Sequence, residues 1–492
     1  MLQNGPDPHL HLRRNFPPMP ALLAALLLAG CASGPDYKAP PLTANQAFRT
    51  APALAGFNAQ VSKGGAPTAP LSAWWSGFDD AKLSVIVQRV LAQNLDLDGA
   101  LARIEQARAA ARAAGARQLP EGSATAAALR QRQSTLSPEG RLARGAPGYE
   151  RDQSVYSLGL GASWELDLAG GLRRGSEEAT AQAQAAEADH LGVRVSVAAE
   201  AADAYFRVRG AQARIALARS QLKANADLFD LVSLRQAEGL SASRETAQAA
   251  ARLAQVKATI PPLVAERDIE LNRLDVLMGA QPGTYATELD GPAAPARLPT
   301  IAQSGSPGEL MRRRPDVIAA ERRLAASNAA IGVASADYYP AVSLSALAGV
   351  VSLGSGGLLT AAAFQPQAGL GLRWRLFDFG RIDADVAGAK GRHAEALAAY
   401  RKAMLRATED VENAVVSLVQ LQARRGDLDE QVSAQSRSRA AAQEAYKDGA
   451  LSLYEVIEED RQLLAARDQL AEADAGLARA VVALFRALGG GW

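Results

Sequence analysis

Val155-Tyr156-Ser157-Leu158-Gly159-Leu160-Gly161-Ala162-Ser163-Trp164-Glu165-Leu166 reads as a strand with two unlike faces. Tyr156, Leu158, Leu160, Ala162, Trp164 and Leu166 share one side, and Val155, Ser157, Gly159, Gly161, Ser163 and Glu165 the other. Period-two alternation with one apolar side marks a half-buried strand. The second side is small or charged, as in a barrel with a wet lumen. A second stretch repeats the pattern, with Ala368, Leu370, Leu372, Trp374 and Leu376 set against Gln367, Gly369, Gly371, Arg373 and Arg375. Val342, Leu344, Ala346, Ala348 and Val350 suggest a partner strand, and a fourth, near residues 122–132, alternates poorly. Loops 133–153 and 353–365 close two hairpins. Each strand has the ~9–11 residues of a tilted membrane strand. A soluble hairpin packed on a core would alternate in the same way, so these residues alone leave both readings open.

Four strands cannot close a membrane barrel, for which ~8 is the minimum. An open edge in lipid leaves backbone groups unpaired at prohibitive cost. Either the strands are not transmembrane, or several chains share one barrel of about 8, 12 or 16 strands. The chain also repeats itself. Trp164 and Trp374 are 210 apart, as are Leu166 and Leu376, Gly170 and Gly380, Ala204 and Ala414, Gly239 and Gly449, and Gly279 and Gly489. Pro120 and Pro340 are 220 apart, so the first copy holds ten extra residues between Pro120 and Trp164. An offset this long is no solenoid period. It describes two copies of a strand–strand–helix–helix unit.

The helices are too long for a compact domain. Residues 175–238 and 382–448 contain no Pro, and stretches of that size span ~100 Å as helix. In the first, Val197, Ala201, Ala204, Val208, Ala211, Ile215, Ala218, Leu222, Phe229 and Val232 follow alternating steps of four and three, interrupted by Asn225. In the second, Leu397, Tyr400, Met404, Ala407, Val411, Ala414, Leu418, Leu421, Leu428 and Val432 do the same, with Arg425 interrupting. That is the seam of packed, near-parallel helices, which an antiparallel coiled-coil scaffold would share. Each long helix ends at a glycine turn, Glu238-Gly239-Leu240-Ser241 or Asp448-Gly449-Ala450-Leu451-Ser452. Gly then Ser reads as helix C-cap and next N-cap. Return helices are expected over about 242–278 and 453–488, the first broken by Pro261-Pro262.

Lys+Arg is 53 and Asp+Glu 52. Setting aside residues 1–30, with Arg13, Arg14 and Asp7, leaves 51 of each. A neutral chain opposes a nucleic-acid partner, which would want a basic face. His190 and His393 lie on expected helices without ligand-like spacing, and no nucleophile, base or metal motif is present. The chain is therefore expected to be no enzyme and to hold no metal site. Arg13-Arg14 precede the apolar run Ala21–Ala29, which is too short to span a bilayer. The run closes on Leu28-Ala29-Gly30-Cys31, which looks like a bacterial lipobox: small residues fit a signal peptidase, and the chain's one thiol takes a diacylglycerol. Residues 1–30 are then a signal peptide, 31–72 a loose, lipid-anchored linker, 73–281 the first repeat, 282–307 a linker and 308–492 the second repeat. By analogy with bacterial lipoproteins, Ala32 favours the outer membrane.

Six stretches carry a family resemblance: Trp74-Trp75-Ser76-Gly77-Phe78-Asp79-Asp80, Trp164-Glu165-Leu166-Asp167, Arg313-Arg314-Pro315-Asp316-Val317 with Ala320-Glu321, Ile331-Gly332-Val333-Ala334, Phe377-Asp378-Phe379-Gly380-Arg381, and Leu488-Gly489-Gly490-Gly491-Trp492. The chain resembles the outer-membrane efflux proteins, TolC-like, and among them the NodT-type lipoproteins. The family's Leu-Phe-Gly is here Leu168-Ala169-Gly170. The resemblance implies an α+β membrane protein working as a homotrimer. Each chain would give four strands to a 12-stranded β-barrel, continued by a long periplasmic α-helical barrel. It implies a periplasmic adaptor, an inner-membrane RND-type transporter and outer-membrane lipid as partners, and no cofactor beyond the covalent lipid on Cys31. Drug or metal-ion efflux is favoured over type I protein secretion.

The resemblance also places a periplasmic gate just beyond the second tip glycine. Glu455 and Glu458, tripled by symmetry, would form two carboxylate rings able to bind cations. Glu459 and Asp460 beside them allow a plain solvated face instead. Tyr446 matches a family tip residue that links helices in the closed state, and Leu451 occupies its usual basic partner's position. At the first tip, Glu245 and Gln248 hold the matching places. Gly239-Leu240-Ser241 and Gly449-Ala450-Leu451-Ser452 would meet the adaptor. Mass spectrometry of the mature protein should find an acylated Cys31 as its first residue. Cleavage elsewhere would refute the lipobox. Cys31→Ala should impair sorting more than pore formation.

Overall fold

The computed structural model describes residues 33–41, 47–63, 68–291, 296–301 and 306–492. The expected leader and Cys31 lie outside them. In chain order the elements are α1 Ala51–Lys63, β1 Thr68–Ala69, α2 Ala81–Gln93, α3 Leu95–Ala116, β2 Glu121–Arg132, α4 Pro138–Ala143, β3 Asp152–Leu166, α5 Gly171–Ala237, α6 Ser243–Leu277, β4 Thr300–Ile301, α7 Pro307–Arg313, α8 Pro315–Ala336, β5 Ala341–Ser352, β6 Phe364–Arg373, α9 Arg381–Lys447 and α10 Leu453–Ala487. The chain divides into two compact units, one built from residues 1–38, 109–180 and 325–394, the other from residues 39–108, 181–324 and 395–492.

The first unit holds the four-stranded antiparallel sheet, in the order β2-β3-β5-β6. The poorly alternating stretch near 122–132 is therefore a strand. Its even-numbered row runs Gly122, Ala124, Ala126 and Ala128, then Arg130 and Arg132, with no bulky apolar residue to announce a hydrophobic face. The register preserves parity throughout: Ala124 pairs with Leu160, Leu160 with Ala348, and Ala348 with Pro366. Even-numbered residues of all four strands thus share one face, since successive side chains alternate sides. That face carries Leu158, Leu160, Trp164, Leu344, Leu370 and Leu372, all exposed. The opposite face carries Ser123, Thr125, Ser163, Glu165, Ser343, Gln367 and Arg373, with Leu129, Val155, Leu347 and Val351 as larger apolar exceptions. Trp164 and Trp374 each spend their indole N–H on a backbone carbonyl, of Gln118 at 2.9 Å and Tyr338 at 3.1 Å. Such satisfied, amphipathic rings suit a membrane–water boundary. β2 and β6 are edges, each paired on one side. No helix among the described residues is long and apolar enough to cross a membrane.

The repeated Asp and Gly residues are helix ends. Asp167 accepts the Leu172 and Arg173 N–H groups, and Asp378 those of Gly380 and Ile382, so each long helix begins on a carboxylate. α5 and α9 both run 67 residues. The expected seams are buried along most of their length, from Val197 to Ala218 in α5 and at Tyr400, Met404, Ala407, Val411 and Leu418 in α9. Of the two polar interruptions, Asn225 donates to the Gln221 carbonyl at 2.9 Å, and Arg425 pairs with Asp474 at 2.9 Å. The expected break at Pro261-Pro262 does not occur, because α6 runs through both prolines. Proline's fixed φ suits a helix and its cost is a lost donor. Here Leu263 is buried with Ile215 and Ala218, with Ile260 and Val264 against them, which holds the turn in place.

The second unit explains three more of the family stretches. Trp74 is fully buried and stacks on Phe485, ring centroids 5.4 Å apart. A Cβ on Gly490 would lie 3.0 Å from the Leu71 carbonyl oxygen and 3.1 Å from that of Phe485. Gly491 N–H donates to Leu71 O at 2.7 Å. The Trp-Trp stretch and the glycine-rich terminus are therefore two halves of one core. Nearby stretches read as loose are ordered in part: α1 buries Leu54 and Phe57, and β4 pairs in parallel with β1.

Arg314 explains the Arg-Pro-Asp stretch. Its guanidinium binds Asp316 at 2.7 Å and Asp410 at 2.8 Å, and donates to the carbonyls of Ala407 and Ala487. It ties α8, α9 and the end of α10 together with its own side chain only 11% exposed. Arg314→Ala would leave both carboxylates and two carbonyls without their donor. It should cost about 2 kcal/mol, read as a lower unfolding midpoint in detergent. Arg314→Lys should recover little of this, because a single ammonium cannot span the fork.

Candidate functional site

The two tips lie in the second unit and are built alike. At the end of α5, Gly239 takes φ +74°, its N–H bonds Gln236 O at 3.0 Å, and the Leu240 N–H reaches Arg235 O at 2.8 Å. At the end of α9, Gly449 takes φ +74°, with Gly449 N–H on Tyr446 O at 3.1 Å and Ala450 N–H on Ala445 O at 2.8 Å. Both are glycine-terminated Schellman turns, which only a residue free to adopt positive φ closes without strain. Leu240, Gly239, Gly449, Ala450 and Ser452 are exposed, while Ser241 and Leu451 are half-buried.

Tyr446 does have a basic partner. Arg235 Nη1 donates to Tyr446 Oη at 2.8 Å, linking α5 to α9 across the two copies. Leu451 is not needed for the link. The sequence hid this partner because Arg235 is 211 residues away, and no local spacing joins them.

The acidic residues have tasks within their own helix. Ser452 and Glu455 form a reciprocal capping box at the start of α10. The Ser452 N–H and hydroxyl both donate to Glu455 Oε2, at 2.8 and 2.9 Å. These bonds hold the Glu455 carboxyl below its ordinary range. The Ser-x-x-Glu spacing is itself a readable helix-start signal. Glu458 bonds Arg461, and Gln462 at 3.1 Å. Arg461 first, then Gln462, pulls the Glu458 carboxyl down to about 2. The first tip differs: Ser241 donates to Glu245 without forming that box.

In the first unit, the segment that follows the expected lipid attachment is held in a built seat. Ser33 N–H donates to Ala169 O at 2.8 Å, and its hydroxyl to Gly332 O at 2.9 Å. Arg174, buried, donates to Ser33 O at 3.1 Å and binds Asp36 and Glu177, each at 2.7 Å. Burial opposes its charge, but the two carboxylates outweigh it, so its pKa stands above the ordinary arginine value. Asn328 donates to Pro35 O at 2.8 Å. A Cβ on Gly332 would meet Arg174 Cγ and Ser33 O, each at 2.7 Å. The Ile-Gly-Val-Ala stretch is thus the floor of this seat.

The family model described as "Outer membrane efflux protein" matches residues 86–280 and 307–490. The chain belongs to the outer membrane efflux protein family. It is 32% identical to the pyoverdine export outer membrane protein OpmQ of Pseudomonas aeruginosa, over 95% of this chain and 96% of that one. It is 30% identical to nodulation protein T of Rhizobium leguminosarum bv. trifolii, again over 95% and 96%. Among solved structures, the outer-membrane channel OprN matches with TM-score 0.80 and 34% identity, covering 94% of this chain and all of that one. As an outer membrane efflux protein, the chain is a transport protein of the outer membrane, as its resemblance implied.

The Glu458 bonds give a pH dependence. A carboxylate with a lowered folded-state pKa stabilises the fold above its ordinary value, 4.5, and loses that contribution as pH falls toward about 2. The stability difference between wild type and Glu458→Gln should therefore be full near neutral pH. It should shrink from about pH 4.5 downward, as read by unfolding in detergent across pH.

Proposed function

We propose that this outer membrane efflux protein is the exit duct of a tripartite pump for small molecules such as drugs or metal ions. Three copies would each contribute β2, β3, β5 and β6 to a 12-stranded barrel, with α5, α6, α9 and α10 forming the periplasmic helical wall. The observation that carries this reading is the sheet itself: one continuous apolar face and two open edges. Neither feature is tolerable in an isolated copy. Lipid covers the face, and neighbouring copies cover the edges. A covalent lipid on Cys31 would add a second hold, and the seat around Arg174 supports a fixed route from that residue to the body.

A periplasmic adaptor would meet Gly239-Leu240-Ser241 and Gly449-Ala450-Leu451-Ser452, and an RND-type inner-membrane transporter would drive export through it. Relatives named for pyoverdine export and for solvent efflux support small cargo over secreted protein. The gate would combine the Arg235–Tyr446 link with carboxylates of Glu455 and Glu458 near the threefold axis. Crowded carboxylates disfavour full ionisation, so a bound cation would favour the narrow state.

The purified chain should migrate as a heat-modifiable trimer and form channels in planar bilayers. A monomer without channel activity would overturn the reading in favour of a scaffold. Tyr446→Phe removes the acceptor for Arg235 and should raise single-channel conductance. Replacing Glu455 and Glu458 together with Gln should weaken block by di- and trivalent cations. Unchanged block would return these residues to a solvated face. Cross-linking from cysteines placed at Ser241 or Ser452 should capture the adaptor, and labelling of those cysteines from outside intact cells would refute the topology.

A further inference from the structure

The ten extra residues of the first copy lie in the β2–β3 hairpin and have no part in the duct described above. That hairpin end is rich in arginine: Arg130, Arg132, Arg141, Arg144 and Arg151 against Glu139, Glu150 and Asp152. The corresponding end of the β5–β6 hairpin, residues 353–363, has no charged residue at all. The excess is therefore a feature of one hairpin and not a general property of the exposed loops.

Position gives the arginines a meaning. Arg130 and Arg132 are even-numbered members of β2, opposite Ser154 and Asp152, so they lie on the same face as Leu158, Leu160 and Trp164. Along that face, the apolar rows end at Tyr156 and Ala128, and the next two rows are Ser154 with Arg130 and Asp152 with Arg132. From the row of Trp164 to that of Ser154 is ten residues. At about 3.3 Å per residue and a tilt of about 40°, that is about 25 Å of depth, the height of an apolar band. An arginine on the lipid face is costly at mid-depth and cheap at the boundary. The pair stands where the second boundary falls.

Neither guanidinium is fully used within the chain. Arg132 reaches Asp152 only at 3.8 Å. Arg130, Arg141 and Arg144 are exposed, and their guanidinium groups have no hydrogen bond or ion pair among the described residues. Planar guanidinium groups pair best with carboxylate or phosphate. At the rim of an apolar band, the group presented at that height is the headgroup of the adjoining lipid.

We propose that Arg130 and Arg132, backed by Arg141 and Arg144, bind the phosphate of a phosphorylated lipid in the outer leaflet. This rests on the barrel reading above, which puts the hairpin ends outside. The site fixes the depth of the barrel and recruits a lipid of that charge to one hairpin per copy.

The test uses the full chain in detergent micelles and bis-phosphorylated lipid A as probe, with retention read by native mass spectrometry. Wild type should retain the lipid, and Arg130→Gln with Arg132→Gln should bind it roughly tenfold more weakly. Arg130→Lys should keep part of the binding. Lipid A stripped of its phosphates should bind wild type and variant alike, and weakly. Inorganic phosphate at the same concentration should not compete. Full competition would make the ligand a free anion and overturn the lipid assignment. Equal retention of phosphorylated lipid A by wild type and variant would overturn the site. Trimer migration and conductance of the same samples separate the two readings. A wild type that forms no oligomer fails the barrel, whereas intact channels with unaltered lipid retention fail this site alone. Should the double variant not fold, Arg130→Gln, which breaks no ion pair, gives the same comparison.

Discussion

Inside hydrocarbon every backbone N–H and C=O needs a partner from protein, because no water is there to supply one. β3 and β5 meet this condition within the chain, each lying between two neighbours, while β2 and β6 meet it on one side only. The exposed Leu160, Leu370 and Leu372 place the same demand on side chains, since such a contiguous apolar face is not stable in water. The closed multi-chain barrel proposed above would answer both demands, backbone pairing and side-chain burial, at once. Parity is what lets one face serve: the register keeps even residues together across all four strands, and a one-residue slip would turn the apolar row inward.

Long helices create the opposite difficulty, since they need exact ends. The chain supplies them with a small set of joints. Asp167 and Asp378 start the two 67-residue helices. Gly239, Gly279, Gly449 and Gly489 all have positive φ and close helices with the same pair of backbone bonds. Arg314 then fastens three helices at one point. Glycine is needed at these turns because a Cβ there is strained, and Gly279 in addition faces the Gln93 carbonyl oxygen, 2.4 Å from where a Cβ would stand.

At the tips, structure and the proposed gating draw on the same groups. Glu455 is engaged by Ser452 as a helix cap, and Glu458 by Arg461. A carboxylate already satisfied by donors stays ionised more easily, which suits an acidic ring that must hold charge at close quarters. Arg235 and Tyr446 join the copies at the same height, so the link and the ring would respond to one movement of the helix ends.

Much of the architecture was legible in the residues. Alternation at 155–166 gave a strand, the step of four and three gave the long seams, and Gly-then-Ser gave both tips, because each pattern is set by local geometry that recurs along the chain. The β2 strand is faint because its even-numbered row is Gly and Ala followed by two arginines, and α6 continues through its prolines because their local cost is outweighed by Leu263 packing on Ile215 and Ala218. Tertiary structure alone decided the partners of single polar groups. Arg235 finds Tyr446, Arg314 finds Asp410 and Ala487, and Arg174 finds Ser33 and Asp36 across 211, 96, 173, 141 and 138 residues respectively. A hydrogen bond depends on where two atoms meet to within an ångström, and only the packed chain fixes that. The sequence by itself determined the elements and their periodic faces; the fold decided which lone side chains would close the joints between them.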